Sequence, residues 1–158
     1  PWTGDLAGWR ARVEHGDGLR GRADRGYRAI RPILRSPLSK AAFRLLPADL
    51  ASGLATGSSQ ASRSYRPQDD GLEIRRVGLR ALDADPSLDL VILGHSHVAG
   101  IERGASGGIY ANPGSWLDAP TYLRVDATEI SLRRWTGSAE GDRLDALERR
   151  AEEAAGDA

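Results

Sequence analysis

The run from Leu88 to Leu93 passes directly into Gly94-His95-Ser96-His97, and no other junction in the chain constrains the fold as much. Apolar character over so short a length reads as a strand buried on both faces. Such a strand needs structure packed above and below its sheet. Its end is a rigid position, where α/β and α+β enzymes keep their reactive groups. The remaining histidine, His15, lies in Glu14-His15-Gly16-Asp17 after the weakly alternating segment Trp9 to Val13. All three histidines are therefore expected where strands run out into loops.

Histidine is the commonest neutral metal ligand, and none is used elsewhere in this chain. On an extended segment, positions i and i+2 share one side, roughly 7 Å apart, and a turn brings them closer. That spacing suits ligands addressing two ions about 3.5–4 Å apart. Gly94 removes a side chain where backbone approaches the site, and Asp17 offers an acceptor for an imidazole N–H. His15, His95 and His97 are thus the metal-ligand candidates, with Asp17 and Gly94 in support. Three imidazoles also suit a mononuclear zinc site, and each histidine taken alone also suits an ordinary polar surface position.

The chain has 158 residues, 40% of them hydrophobic, enough for one domain with a core. No apolar run approaches the roughly 20 residues of a membrane helix, and nothing at the start reads as a signal peptide. Cysteine is absent, which removes thiolate metal sites and fits a reducing, cytoplasmic setting. Methionine is absent even at position 1, so the expectation is a piece of a larger unit. A formal net charge of zero, with acidic residues among the arginines, argues against a nucleic-acid partner.

Along the chain, residues 5–15 read as a short strand. Residues 22–66 change character, with Pro32, Pro37 and Pro47 between short helical segments. Residues 56–64 read as a Gly/Ser-rich loop, 70–84 as a helix ending before Pro86, and 107–110, 121–125 and 129–135 as strands. From Gly137 the spacing of Leu144, Leu147 and Ala151 suggests a marginal, frayed helix. The expected division is a core of 1–21 and 86–136, a helical insert over 22–85, and a charged tail over 137–158.

His15-Gly16-Asp17 and Gly94-His95-Ser96-His97, in that order, resemble the last two motifs of the calcineurin-like metallophosphoesterases. Tyr110-Ala111-Asn112-Pro113-Gly114-Ser115-Trp116 resembles the segment that follows in that superfamily. His15 to Leu19, Asp24 to Tyr27 and the stretch from Arg35 to Leu54 are similar to the UDP-2,3-diacylglucosamine pyrophosphohydrolase branch. The resemblance implies an α/β (α+β) fold: the C-terminal half of a metallophosphoesterase β-sandwich flanked by helices, with a helical cap insert. It implies a hydrolase of phosphoester or pyrophosphate bonds in lipid A biosynthesis. Two divalent ions, Mn²⁺ foremost and Fe or Zn as alternatives, would serve it, with His15 and His95 on one and His97 on the other. Its substrate would be a nucleotide-sugar lipid or another phosphoester, met in the cytoplasm or at the inner membrane.

The resemblance further implies a cap that holds lipid, with Leu38, Phe43, Leu45, Leu46 and Leu50 along an acyl groove. These residues equally suit a mini-core of the insert. Arg63 and Arg66, beside Ser59 and Ser62, offer forked bonds to a diphosphate, or a solvated basic loop. Asp24 matches a substrate-contacting position and also suits a helix N-cap. His95 would face substrate as well as metal. Asn112-Pro113-Gly114-Ser115 carries a turn signature, with Ser115 as a phosphate contact by resemblance. The family's Asp-x-His, Gly-Asp and Asn-His motifs are absent, so no catalytic residue is assigned within this chain. The alternatives are a general phosphodiesterase of the same superfamily, or an inactive module that binds a partner.

Overall fold

A computed structural model describes residues 1–21, 24–53, 56–57, 71–138 and 140–150. The chain divides into two compact units, Pro1–Asp17 with Asp70–Ala158, and Gly18–Asp69.

The first unit is mixed α+β, with eight strands in two sheets among the described residues. Strands β1 (Trp2–Leu6) and β2 (Trp9–Glu14) form a hairpin where one strand over 5–15 is expected. Its two-residue loop has positive φ at both Ala7 (53°) and Gly8 (87°), the geometry whose twist suits tight hairpins. Helix α3 (Leu72–Ala84) and strand β3 (Leu90–Leu93) follow. Next come β4 (Gly100–Arg103) and β5 (Ile109–Asn112), then β6 (Thr121–Val125), β7 (Glu129–Arg134) and β8 (Asp142–Glu148).

The five-stranded sheet runs β1-β2-β3-β5-β4, and β2, β3 and β5 are parallel neighbours. The second sheet is the antiparallel meander β6-β7-β8. Between the sheets lie Trp9, Ala11, Leu90, Ile109, Ala111 and Ile130, all nearly inaccessible. Burying each large side chain there contributes about 1.5–3 kcal/mol. Trp9 Nε1 also donates to Asp126 O (2.6 Å), fixing the indole across the gap.

Helix α3 covers β3 and β5 with Ile74, Gly78 and Leu82 buried. A Cβ on Gly78 would lie 2.2 Å from Tyr110 Cδ2, so glycine sets how closely the helix sits on the sheet. Residues 72–84 therefore belong with the core, not with the insert expected over 22–85. Two further corrections concern strands. The stretch Gly100–Arg103, which gave no clear sequence signal, is the edge strand β4. The tail expected to be a frayed helix contains β8, which pairs with β7 and turns Leu147 onto the core. Pairing across the meander overrides a weak helical spacing, because short isolated helices are marginal in water.

The second unit contains α1 (Arg25–Arg35), α2 (Pro37–Arg44) and a helical stretch through 48–53. Ser36 caps α2 by accepting from Ser39 N (3.0 Å), and Pro37 opens it. Neither α1 nor α2 buries a residue. Leu38, Phe43, Leu45, Leu46 and Leu50 are all exposed, so among the described residues the mini-core considered for them is not seen. Among the described residues, no helix is long and apolar enough to cross a membrane.

Candidate metal centre

Three parallel neighbours end together. Glu14 of β2 is in register with Leu93 of β3, and Ile92 of β3 with Ala111 of β5. His15, Gly94-His95 and Asn112 therefore stand side by side at the C-terminal edge of the sheet, where open α/β sheets bind ligands. The imidazoles of His15 and His95 meet edge to face, with ring centroids 5.4 Å apart.

Glycines let the two loops touch. A Cβ on Gly94 would lie 3.3 Å from His15 O. One on Gly16, where φ is +97°, would lie 3.2 Å from Gly94 O. The backbone around the histidines is bent further than an extended segment. Ser96 N donates to Gly94 O (2.9 Å) and His95 has φ of +69°, which makes a γ-turn of the rare, strained kind. His97 also has positive φ (+61°). Non-glycine residues held in this region cost of order 1–3 kcal/mol each, and they cluster at functional sites. The expected common side for His95 and His97 is lost. His95 lies against His15, whereas His97 Nδ1 lies 3.3 Å from Asp118 Oδ2.

Asn112 holds the strained turn. It is fully buried, its Nδ2 donates to Ser96 Oγ (3.0 Å) and Gly94 O (3.3 Å), and its Oδ1 accepts from Gly114 N (2.9 Å). One side chain thus ties the histidine loop to the Pro113-Gly114 turn. Its signal in the sequence was the Asn-Pro-Gly-Ser turn, read as a bend and not as a clamp. Beneath it, burial pushes the Tyr110 phenol above its usual range. Asp118, beside His97, carried no sequence signal because the contact depends on the turn through residues 115–119.

A cleft of about 420 Å³ adjoins the loop, lined by the start of α3, Val98 to Glu102 and Tyr110. Arg75 and Glu102 form a forked ion pair beside it, which raises the guanidinium and lowers the carboxyl from their ordinary values.

Asp17 is partly buried in the turn after Gly16. Ser115 offers its carbonyl to Asp118 N and Ala119 N. Asp24 takes the N-cap position of α1 without a side-chain cap bond. Its carboxylate instead accepts from Arg20 through N (2.9 Å), Nε (3.2 Å) and Nη2 (2.9 Å). Ser59, Ser62, Arg63 and Arg66 fall outside the described residues.

The donor set fits an ion in part. With metal–nitrogen bonds of about 2.0–2.1 Å, two imidazoles on one ion have ring centroids roughly 5 Å apart, as His15 and His95 do. Among the described residues, no third His, Asp or Glu joins them in a cluster that could hold a metal. Asp118 Oδ2, 3.3 Å from His97 Nδ1, is the kind of carboxylate neighbour that ligating imidazoles usually have, and Nε2 is the ring nitrogen on the other side. No protein-family model matches this chain, and no curated protein matches it.

Proposed function

We propose that this chain carries part of the two-metal centre of a phosphoester hydrolase, acting on the pyrophosphate of UDP-2,3-diacylglucosamine as the resemblance implies. The observation that carries the proposal is the meeting of His15 and His95, from separate strands, at the C-terminal edge of a parallel sheet. Strained backbone at His95 and His97, clamped by Asn112, supports a binding role over an ordinary surface one.

Divalent ions, Mn²⁺ foremost, would supply an activated hydroxide and stabilise charge on the phosphoryl oxygens. His15 and His95 would fix one ion, and His97, oriented by Asp118, would offer Nε2 to the other. Asn112 would keep His95 aimed by holding its turn. The exposed Leu38, Phe43, Leu45, Leu46 and Leu50 offer apolar surface to acyl chains. Asp24 would meet substrate through a carboxylate that also accepts from Arg20.

The bridging carboxylate and the Asn-His pair of the resembled family are not in this sequence. The 158-residue chain is therefore expected to bind Mn²⁺ weakly and to hydrolyse phosphoesters at trace rates. Calorimetric titration of Mn²⁺ into the chain and into His15→Ala and His95→Ala tests the ligand assignment. Binding unchanged by both substitutions refutes it, and rapid turnover by the chain alone refutes the division of the centre. In a longer chain that includes the missing motifs, Leu46→Asp should raise KM for the diacyl substrate far more than for a small aryl phosphodiester. Equal effects would favour a general phosphodiesterase.

A further inference from the structure

Helix α3 and strand β4 leave space between them. The cleft there, of about 420 Å³, falls within the range of about 300–1,000 Å³ that small-molecule sites occupy. Tyr110 of β5, only 4% exposed, lines its inner end. Leu72 and Val98 also line it and stay 42% and 44% exposed, and Ile101 of β4 adds to the apolar wall. Large apolar side chains left in water around a concave surface forgo stabilisation that an occupant would supply.

Two opposite charges share the same lining. Arg75 of α3 donates to Glu102 of β4 through Nε and through Nη2, the latter to Oε1 at 2.7 Å. Their side chains are 47% and 33% exposed, so the pair itself adds little stability and its members take new partners at small cost. The fork leaves Arg75 Nη1 as a donor without a bond among the described residues, and each Glu102 oxygen keeps a lone pair. A cation, an anion and an apolar wall therefore border one space.

We propose that this cleft binds a free α-amino acid with an aliphatic side chain: its carboxylate meets Arg75, its ammonium meets Glu102, and its side chain lies against Leu72, Val98, Ile101 and Tyr110. Such a ligand carries its two charges on neighbouring atoms, as the ion pair does, beside an apolar body. A plain anion would meet Glu102 as well as Arg75, and a plain amine would meet Arg75 as well as Glu102. A hydrocarbon would strip water from both charges and replace none of it. The inference does not rest on the proposed hydrolase activity.

Titration of L-leucine into the isotope-labelled full chain, followed by NMR with EDTA present so that no metal bridges ligand and protein, tests it. The amides of residues 98–102 should shift, with a Kd on the order of 1 mM, the scale on which so small a ligand binds. Isocaproate, which lacks the ammonium, and isoamylamine, which lacks the carboxylate, should each bind at least about tenfold more weakly, since a charge-assisted bond is lost. Arg75→Gln and Glu102→Gln should each weaken leucine by a similar factor, and both positions are exposed enough to tolerate the change. Leu72→Asp should abolish the preference for leucine over glycine. It sets a carboxylate in the first turn of α3, where the helix dipole favours one, so the helix persists. Isocaproate or isoamylamine binding as tightly as leucine overturns the proposal in favour of a simple anion or cation site. No shift at tens of millimolar leucine, or wild-type affinity in both glutamine variants, overturns it outright.

Discussion

Replacing Asn112 with alanine removes a fully buried side chain that braces both flanks of the His95 turn. Four bonds go together: Nδ2 to Ser96 Oγ at 3.0 Å, Nδ2 to Gly94 O at 3.3 Å, a longer one from Nδ2 to Tyr110 Oη at 3.4 Å, and Gly114 N to Oδ1 at 2.9 Å. Each contributes about 1 kcal/mol net, and each polar group left buried without its partner costs about 1–3 kcal/mol. Gly94 O keeps the bond from Ser96 N, so its share is the smallest. The expected loss is about 3–5 kcal/mol, among the larger effects of a single substitution. Urea unfolding followed by tryptophan fluorescence measures it, because Trp9 is 1% exposed and reports the opening of the core. A loss below about 1 kcal/mol would mean that the turn stands without its clamp, and the account of the site would fail. Asn112→Asp separates the lost donor from the lost volume. It keeps the acceptor for Gly114 but sets a carboxylate against Gly94 O. An unpaired buried carboxyl titrates above its ordinary value, so the variant's folded pKa exceeds its unfolded one. Its deficit should then be smallest below about pH 4, where the protonated acid restores a donor, and should grow as the pH rises toward the folded pKa. A deficit that does not change with pH would refute the donor role.

Gly78→Ala gains up to about 1 kcal/mol of helix propensity but pushes a methyl to 2.2 Å from Tyr110 Cδ2. Overpacking of about 1–3 kcal/mol should win, and a raised Tm would show that the helix does not sit this close. Asp24→Ala withdraws the carboxylate from the buried Arg20 guanidinium. It should cost about 3–5 kcal/mol in the helical unit, read as lost helicity by circular dichroism. Glu102 is held below its ordinary value, chiefly by its hydrogen bond with Arg75. A depressed carboxyl stabilises the fold above its unfolded pKa and loses that stabilisation as pH falls through the folded one. Because the pair is substantially exposed, the effect should stay below about 1 kcal/mol, and Glu102→Gln should flatten the acid limb of a stability–pH curve by that amount.

The elements that could be read from sequence were those whose residues decide for themselves. Leu90–Leu93 is a buried strand because its side chains admit little else, and Leu72–Ala84 is a helix because Ile74, Val77, Leu79, Ala81 and Leu82 recur at helical spacing. The strands β6 and β7 stood out for their β-branched and apolar residues. What escaped was decided elsewhere in the molecule. Asp142–Glu148 has helical spacing and is a strand because β7 offers it an edge. Gly100–Arg103 is a strand because β5 does the same. At the site, the residue types pointed to the histidines, but not to the γ-turn at His95 or to the Asn112 clamp. Both depend on which strand ends become neighbours, and no local pattern records that.

The parallel pairing of β2 with β3 has a consequence for how much the chain can change. The unit Gly18–Asp69 is inserted between those two strands, so the sheet treats it as the interior of a loop. Closing such a loop depends only logarithmically on its length, about 0.6 kcal/mol for each doubling. The pairing that sets His15 beside His95 is therefore nearly indifferent to what lies between. Helices of another length or chemistry could be exchanged there with the histidine edge intact, which makes this junction the natural place for the chain to vary its insert while keeping that edge.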